Sequence, residues 1–346
     1  MKAAIDDIIK KLLSLLTDRQ REVIEARFGL SDGAPQTLAS VGNRYGVTRE
    51  RVRQIEASAL SRMREASKEI LSPFAAIAAD YLKRSGGVKR EDLLINDFRL
   101  LVVAKADDPA FADKILFLLE LGGEYSRHSE DELYFTSWYT SKDAWRKATV
   151  FTEKLYQFFK NKKQELIDHK QFDKLFSQVI KPHGLQDFIA LNYVSISKRF
   201  GVNQYGDFGL TEWAEVEPKT VRDWSYLVLK KERRPIHFME LAKRIGAMRK
   251  AKATNVQTVH NELIKDPRFV LVGRGLYALG EHGYEVGTAR EVMARILKKH
   301  GPLTPKELIK LVATQRILKE NTITINLHNR RHFTRLPDGR YAVREA

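Results

Sequence analysis

From residue 219 onward the chain repeats itself, and a repeat of this length admits few folds. Val228-Leu229-Lys230-Lys231, Pro235-Ile236 and Glu240-Leu241 return as Ile296-Leu297-Lys298-Lys299, Pro302-Leu303 and Glu307-Leu308. Thr258-Val259 and Leu263 match Thr322-Ile323 and Leu327, and Phe269, Gly275, Tyr277 and Ala278 match Phe333, Gly339, Tyr341 and Ala342 without a gap. The period of about 65 residues is too long for a solenoid and right for a small domain. Each copy reads as helix, turn, helix, helix and a two-stranded hairpin. Thr304-Pro305-Lys306-Glu307 is a capping box with proline at the first helical position. The hairpins Phe269–Leu279 and Phe333–Val343 turn at Gly273-Arg274-Gly275 and Pro337-Asp338-Gly339.

That order of elements is the winged-helix plan, and weaker copies of it lie upstream. Tyr81-Leu82-Lys83-Arg84-Ser85-Gly86-Gly87-Val88, followed by Glu91-Asp92-Leu93, lines up with Ile296–Leu303 and the region of Leu308. Arg199-Phe200, Gly206, Phe208 and Leu210 line up with Arg268-Phe269, Gly275, Tyr277 and Leu279. Four tandem units follow, at 74–140, 150–215, 220–282 and 288–346, behind an N-terminal segment of residues 1–70. The expected fold is mainly α with small β-hairpin wings: a helix-turn-helix domain, then a tandem array of winged-helix (α+β) domains. No low-complexity linker separates the units, which predicts a compact or semi-rigid array.

The N-terminal segment Leu16–Glu65 carries the clearest binding pattern. Thr17 with Gln20 makes a capping box, and Arg27-Phe28-Gly29-Leu30 with Ser31-Asp32-Gly33 breaks the chain. A helix from about Leu38 places Leu38, Val41 and Tyr45 on one face and turns at Gly46. Thr48 caps the next helix, whose buried stripe is Val52, Ile55, Ala59, Leu60 and Met63. Arg49, Glu50, Arg51, Arg53 and Gln54 are left on the exposed first turns. In a DNA-binding helix-turn-helix those turns enter the major groove. There Arg can grip guanine, Gln adenine, and Glu can accept from cytosine N4.

This segment resembles region 4 of the sigma-70 family of bacterial sigma factors. The resemblance rests on Arg27-Phe28-Gly29-Leu30, Thr37-Leu38 with Val41-Gly42, and Val47-Thr48-Arg49-Glu50-Arg51-Val52-Arg53-Gln54-Ile55-Glu56. It implies a module that reads the −35 promoter element and docks on the flap of the RNA polymerase β subunit. It also implies that Arg49, Glu50 and Gln54 address bases, while Arg51 and Arg53 share base and phosphate contacts. The family usually has Lys two residues after the Ile-Glu pair, where this chain has Ser58. The resemblance covers about the first 70 residues, a fifth of the chain, and nothing resembles the sigma region that melts promoter DNA. A complete sigma factor is therefore not expected.

Charge is placed unevenly along the chain. The net charge is +16 over 346 residues, yet Lys219–Ala346 holds 27 Lys and Arg against 12 Asp and Glu, and the remainder 33 against 32. The C-terminal third is the part that should face a polyanion. In the third unit Val256, Val259 and Leu263 are expected inside, leaving Asn255, Gln257, Thr258 and Asn261 for base edges or phosphates. In the fourth, Thr322, Thr324, Asn326 and Asn329 are available, with Arg330 and Arg331 at the helix end. Arg274 and Arg340 on the wings could enter a minor groove. The third unit also resembles the HARE-type winged helix of the polymerase delta subunit and of proteins linked to restriction and chromatin. Pro235-Ile236-His237, Glu240-Leu241-Ala242 and Phe269–Leu279 carry that resemblance, which implies either DNA binding or attachment to polymerase.

The first two units read differently. Ser129-Glu130-Asp131-Glu132 makes an acidic hairpin tip that phosphates would repel, and Ile115-Leu116-Phe117-Leu118-Leu119 is too apolar for a groove. Phe151, Tyr156, Phe158, Phe159, Phe172 and Phe176 read as core, and Lys160, Lys162 and Lys163 as solvated charges. Both units are expected to act as spacers or protein-contacting blocks.

No pattern for chemistry emerges. The chain has no cysteine, which removes disulfides and thiolate sites, and no Walker loop, GxGxxG or HExxH. His328 and His332 have metal-ligand spacing, but Arg330 and Arg331 lie between them. Asp107-Asp108 reads as a turn and helix start, and His237 as a cap. The sequence therefore predicts a non-enzymatic, DNA-binding transcription regulator of the bacterial cytoplasm, associated with the nucleoid. Its expected partners are double-stranded DNA and the core RNA polymerase, with no cofactor, metal, membrane or small-molecule substrate. The alternative is a polymerase-associated accessory factor working mainly through protein contacts.

Overall fold

A computed structural model of the protein describes residues 4–31, 34–104, 107–249, 254–285 and 287–344; Asp32 and Gly33, in the predicted chain break, lie outside them. The chain divides into two units, Met1–Gly201 and Val202–Ala346. The first holds α1 (Ile5–Leu13), α2 (Asp18–Phe28), α3 (Leu38–Tyr45) and α4 (Arg49–Arg84). It continues through β1 (Val88–Arg90), α5 (Glu91–Leu101), α6 (Phe111–Gly122), β2 (Ser126–His128) and β3 (Ser137–Tyr139). It ends with α7 (Lys142–Phe159), α8 (Lys163–Ile167), α9 (Phe172–His183) and α10 (Asp187–Ile196).

Local caps set where these helices begin. Thr17 and Gln20 form the reciprocal capping box, Thr48 accepts from Arg51 N, and Ser141 accepts from Ala144 N. Each cap contributes about 1 kcal/mol. Helix α4 is 36 residues long and runs unbroken through residues 70–74, where the sequence reading places a domain boundary. Val52, Ala59, Met63, Leu71, Phe74, Ala78 and Leu82 recur at helical spacing and are all buried, so one apolar face runs the length of the helix. Pro73 lies inside α4 on its exposed side.

That face is covered from both directions along the sequence. Ile5, Ile8 and Leu12 of α1, Ile24 of α2, Leu94 and Phe98 of α5, and Phe111, Ile115 and Leu118 of α6 share one core with it. Lys114 on α6 reaches Asp6 at 2.6 Å and Asp108 at 2.9 Å, fixing α1 against α6. The apolar segment around Ile115 is buried, as its composition demands. Strands pair antiparallel in the order β1-β3-β2. Beyond them, Phe151, Leu155, Phe159 and Phe176 are buried among α7 to α10. Asn192 on α10 donates to the carbonyls of Ser85 and Val88 at 2.7 and 2.6 Å, and Tyr193 to that of Gly86 at 2.8 Å. Gly86 and Gly87 have φ of +78° and +81°, a turn that favours glycine at both positions.

The division falls at β4 (Phe200–Val202), which forms a two-stranded sheet with β5 (Phe208–Leu210). The second unit continues with α11 (Val221–Glu232), β6 (Ile236–His237), α12 (Phe238–Met248), α13 (Val256–Lys265), β7 (Phe269–Gly273) and β8 (Leu276–Leu279). It then repeats as α14 (Ala289–His300), α15 (Pro305–Ala313), α16 (Glu320–Leu327), β9 (Phe333–Arg335) and β10 (Tyr341–Val343). Sheet order is β6-β8-β7 in the first half, and in the second Leu303 bridges Tyr341 beside the β9-β10 pair. The strand after the first helix thus pairs with the last strand in both halves, as β1 pairs with β3. This is winged-helix connectivity, and it makes the molecule mainly helical with small antiparallel wings. The two halves have cores of their own, around Leu241 and Val259 and around Leu308 and Ile323. A hydrogen bond from Ile317 N to Val272 O at 3.0 Å joins them. Among the described residues no helix is long and apolar enough to cross a membrane.

Candidate nucleic-acid interface

The N-terminal helix-turn-helix is built from a tight turn between two capped helices. Thr37 accepts from Ser40 N at the start of α3, and Gly46 ends it at φ +66°. Thr48 then opens α4 two residues later. Gly42 allows α3 to approach this turn, because a Cβ there would lie 2.7 Å from the carbonyl oxygen of Val47. Val23, Val41 and Val52 form the small core beneath, with Leu38, Tyr45, Val47 and Ile55 packed on it.

Helix α2 grips both partners. Arg27 meets Glu56 on α4 at 2.8 Å, with side chains 23% and 17% exposed, and also donates to the carbonyl of Gln36. The Arg19 guanidinium lies 4.1 Å from the centre of the Tyr45 ring and donates to the Tyr45 carbonyl at 3.3 Å. Gln20 donates to Ser58 Oγ at 3.4 Å. The residue that departs from the family pattern therefore meets α2. These positioning contacts join residues distant in sequence, and periodicity gives no signal for them.

Arg49, Glu50, Arg51, Arg53 and Gln54 are all exposed on the first two turns of α4. Four of them are paired among themselves. Arg53 and Glu50 form a bidentate pair, with Nη2–Oε1 at 2.6 Å and Nε–Oε2 at 2.9 Å, and Arg51 Nη1 donates to Gln54 Oε1 at 3.2 Å. The hydrogen bond from Arg53 lowers the pKa of the Glu50 carboxyl below its ordinary value, while Glu50 raises that of the Arg53 guanidinium. Arg49 makes no ion pair or side-chain hydrogen bond among the described residues. The surface thus presents donors and one carboxylate on a rigid helix, pre-arranged at i, i+3 spacing.

The second unit treats the remaining predicted residues unequally. Asn255 is the N-cap of α13, and its Oδ1 accepts from Gln257 N and Thr258 N at 2.8 and 3.2 Å. Gln257 donates across one turn to Asn261 Oδ1 at 3.0 Å, and both are exposed, as is Thr258. Val256, expected inside, is 38% exposed: it is the first residue of α13, at the open end of the stripe that Val259 and Leu263 continue into the core. On α16, Thr322 is half-buried, Asn326 Nδ2 donates back to the Thr322 carbonyl at 2.7 Å, and Thr324 donates to that of Glu320. Asn329 Oδ1 caps Arg331 N at 3.1 Å. Arg330 and Arg331 are exposed past the end of α16, and Arg274 is exposed at the β7–β8 turn. Arg340 is held by Asp338 of its own turn at 2.6 Å. His332 lies beside Arg290 at 3.2 Å, and His237 caps α12. Sequence reading missed Arg335, four residues past Arg331, and Arg290 and Arg344, which the fold brings to the same edge.

The family model for sigma-70, region 4 matches residues 12–65. Among characterised proteins, the RNA polymerase sigma factor SigA4 of Synechococcus elongatus is 48% identical over 67 residues, covering 19% of this chain and 22% of that protein. The chain therefore spans about a fifth of the relative that it matches. The matched stretch holds the capped turn, the buried valines and the exposed face of α4: residues 12–65 are a sigma-70 region 4 helix-turn-helix.

Proposed function

We propose that this chain is a DNA-binding regulator of bacterial transcription. Its head reads a −35-like element with Arg49, Glu50, Arg51, Arg53 and Gln54. Its basic winged-helix tail, divided at 220–282 and 288–346, holds further duplex. The observation that carries this reading is the exposed polar face on the first two turns of α4, set behind a turn and a support helix. Placed in a major groove, Arg53 exchanges Glu50 for guanine or phosphate, and Gln54 exchanges Arg51 for adenine. Two separate duplex-binding surfaces on one chain raise affinity through effective concentration. The protein works on the nucleoid, beside RNA polymerase, without an active site of its own. The test compares duplexes with and without a −35-like element in gel shifts. Arg53→Ala and Gln54→Ala should erase the preference, about 1–3 kcal/mol per lost base contact. Arg330→Ala with Arg331→Ala should weaken both duplexes alike. Equal effects from both sets of variants would refute the division of labour.

A second reading, a polymerase-associated accessory factor, draws on α10. In the segment 150–215 this helix stands where a winged helix carries its recognition helix, and it exposes Phe188 and Leu191 at 57% and 46%. An apolar face there suits a protein partner, with polymerase reached both by it and by the head on the β flap. Under this reading Phe188→Ser with Leu191→Ser weakens capture of core polymerase by the full chain and leaves duplex binding intact. Undiminished capture would remove the role of α10.

A further inference from the structure

The β9–β10 hairpin of the last winged helix has two ends of opposite electrostatic character. Its turn end carries Arg340, whose guanidinium is neutralised by Asp338 at 2.6 Å. Its open end, where Phe333 pairs with Val343, is flanked by Arg331, His332 and Arg344. We propose that this open end, and not the wing tip, binds the phosphodiester backbone of duplex DNA through Arg290, Arg331 and Arg344. The inference rests on the reading that the basic tail holds duplex, and it names the surface that does so.

Two adjacent depressions shape the site. One is lined by Thr288, Arg290, Glu291, Arg331, His332 and Arg344. The other takes in His328, Arg330, Thr334 and Arg335, and shares Arg344 as a common wall. None of Arg290, Arg330, Arg331, Arg335 or Arg344 makes a direct ion pair among the described residues; Glu291 acts on Arg290 only through its field, without a hydrogen bond between them. Arg344 Nη1 donates to the carbonyl of Arg330 at 2.9 Å, which leaves its charge uncompensated. Arg290 donates to His332 Nε2 at 3.2 Å, so that ring nitrogen accepts and holds the guanidinium at the rim without cancelling it. The one carboxylate on the rim, Glu291, is committed to its capping box, accepting from Thr288 N at 2.5 Å. Guanidinium groups gathered with a single carboxylate among them repel one another across distances below the Debye length of roughly 8 Å. A bridging anion relieves that repulsion, and the planar fork of arginine suits phosphate oxygens. Two neighbouring basic depressions that share Arg344 offer places for more than one phosphate, which a strand supplies and a single small anion does not.

The test uses the full chain and a fluorescent duplex of random sequence, so that sequence reading by the head plays no part. Anisotropy titrations across a salt series compare the wild type with the triple variant Arg290→Ala, Arg331→Ala, Arg344→Ala. A second triple variant carries Lys at the same positions, and Arg340→Ala serves as the wing-tip variant. The alanine triple should lose about tenfold in affinity at 0.1 M salt and flatten the log–log salt slope by about 2.7, since each of the three lost phosphate contacts removes about 0.9. The lysine triple should recover most of both, and Arg340→Ala should stay within about twofold, given that no counterion is released from a neutralised arginine. If the alanine triple binds like the wild type, the arginines are merely solvated and the proposal fails. It fails also if millimolar inorganic phosphate raises the melting temperature of the wild type but not of the alanine triple, with duplex affinity equal in both. That result marks a small-anion pocket. Loss of −35 preference in head variants is read on a different duplex pair, so either idea can fail alone.

Discussion

Asn255 and Asn326 show how an amide that looks free in a sequence is committed in a fold. Both sit where a recognition helix would present a base-reading side chain. Asn255 instead accepts two N–H groups at the start of α13, and Asn326 donates to the carbonyl one turn back on α16. Asn255→Ala should therefore cost about 1 kcal/mol of stability in urea denaturation while duplex affinity stays within about twofold. A tenfold affinity loss at unchanged stability would return Asn255 to the DNA-contacting set. Legibility at this scale follows the range of the interaction. The caps at Thr17 and Thr48 were readable because each closes over three residues, and with Thr48 came the exposed face from Arg49 to Gln54. The Arg27–Glu56 pair, 29 residues apart, carries no local pattern, and neither does the gathering of Arg290, Arg331 and Arg344.

Helix α4 is the element whose extent the sequence concealed. Proline in a helix interior removes a hydrogen bond and clashes with the preceding turn, at a cost of about 3 kcal/mol. The boundary read between residues 70 and 74 from the repeat pattern falls beside Pro73. Packing overrides it: Phe74, Ala78 and Leu82 beyond the proline are buried in the same core as Ala59 and Met63 before it. The helical phase of α4 is consequently fixed along its full length. One alanine inserted after Lys68 rotates everything downstream by about 100° and turns Leu71, Phe74, Ala78 and Leu82 out of register. Burial lost at several such positions costs more than 3 kcal/mol, by the measure of single large-to-small changes at roughly 2–5 kcal/mol each. A circular dichroism melt should show a much lower or non-cooperative transition, and an unchanged melt would mean that the two parts of α4 pack independently. The winged-helix connectivity, in contrast, was legible in the second unit, because the repeat supplied two readings of the same pattern.

For the molecule as a whole, charge sets how it would meet a polyanion such as DNA. The stretch from Lys219 to Ala346 holds 27 basic and 12 acidic residues, while the rest is nearly balanced. Binding dominated by phosphate contacts releases counterions. With 6–10 such contacts, affinity should drop by about 10³–10⁵ between 50 and 200 mM salt. A flat response across that series would contradict DNA as the partner. Kinship and cooperative folding have different borders in this protein. The stretch recognisable by descent stops near residue 65, but the hydrocarbon flank of its longest helix is sheltered by α1, α5 and α6, which lie outside or at the margin of that stretch. Excised at the limits of its ancestry, the head would show water the side chains of Leu12, Leu16, Phe28, Leu60 and Met63. The smallest portion that could be transplanted intact is therefore considerably larger than the portion a relative can identify.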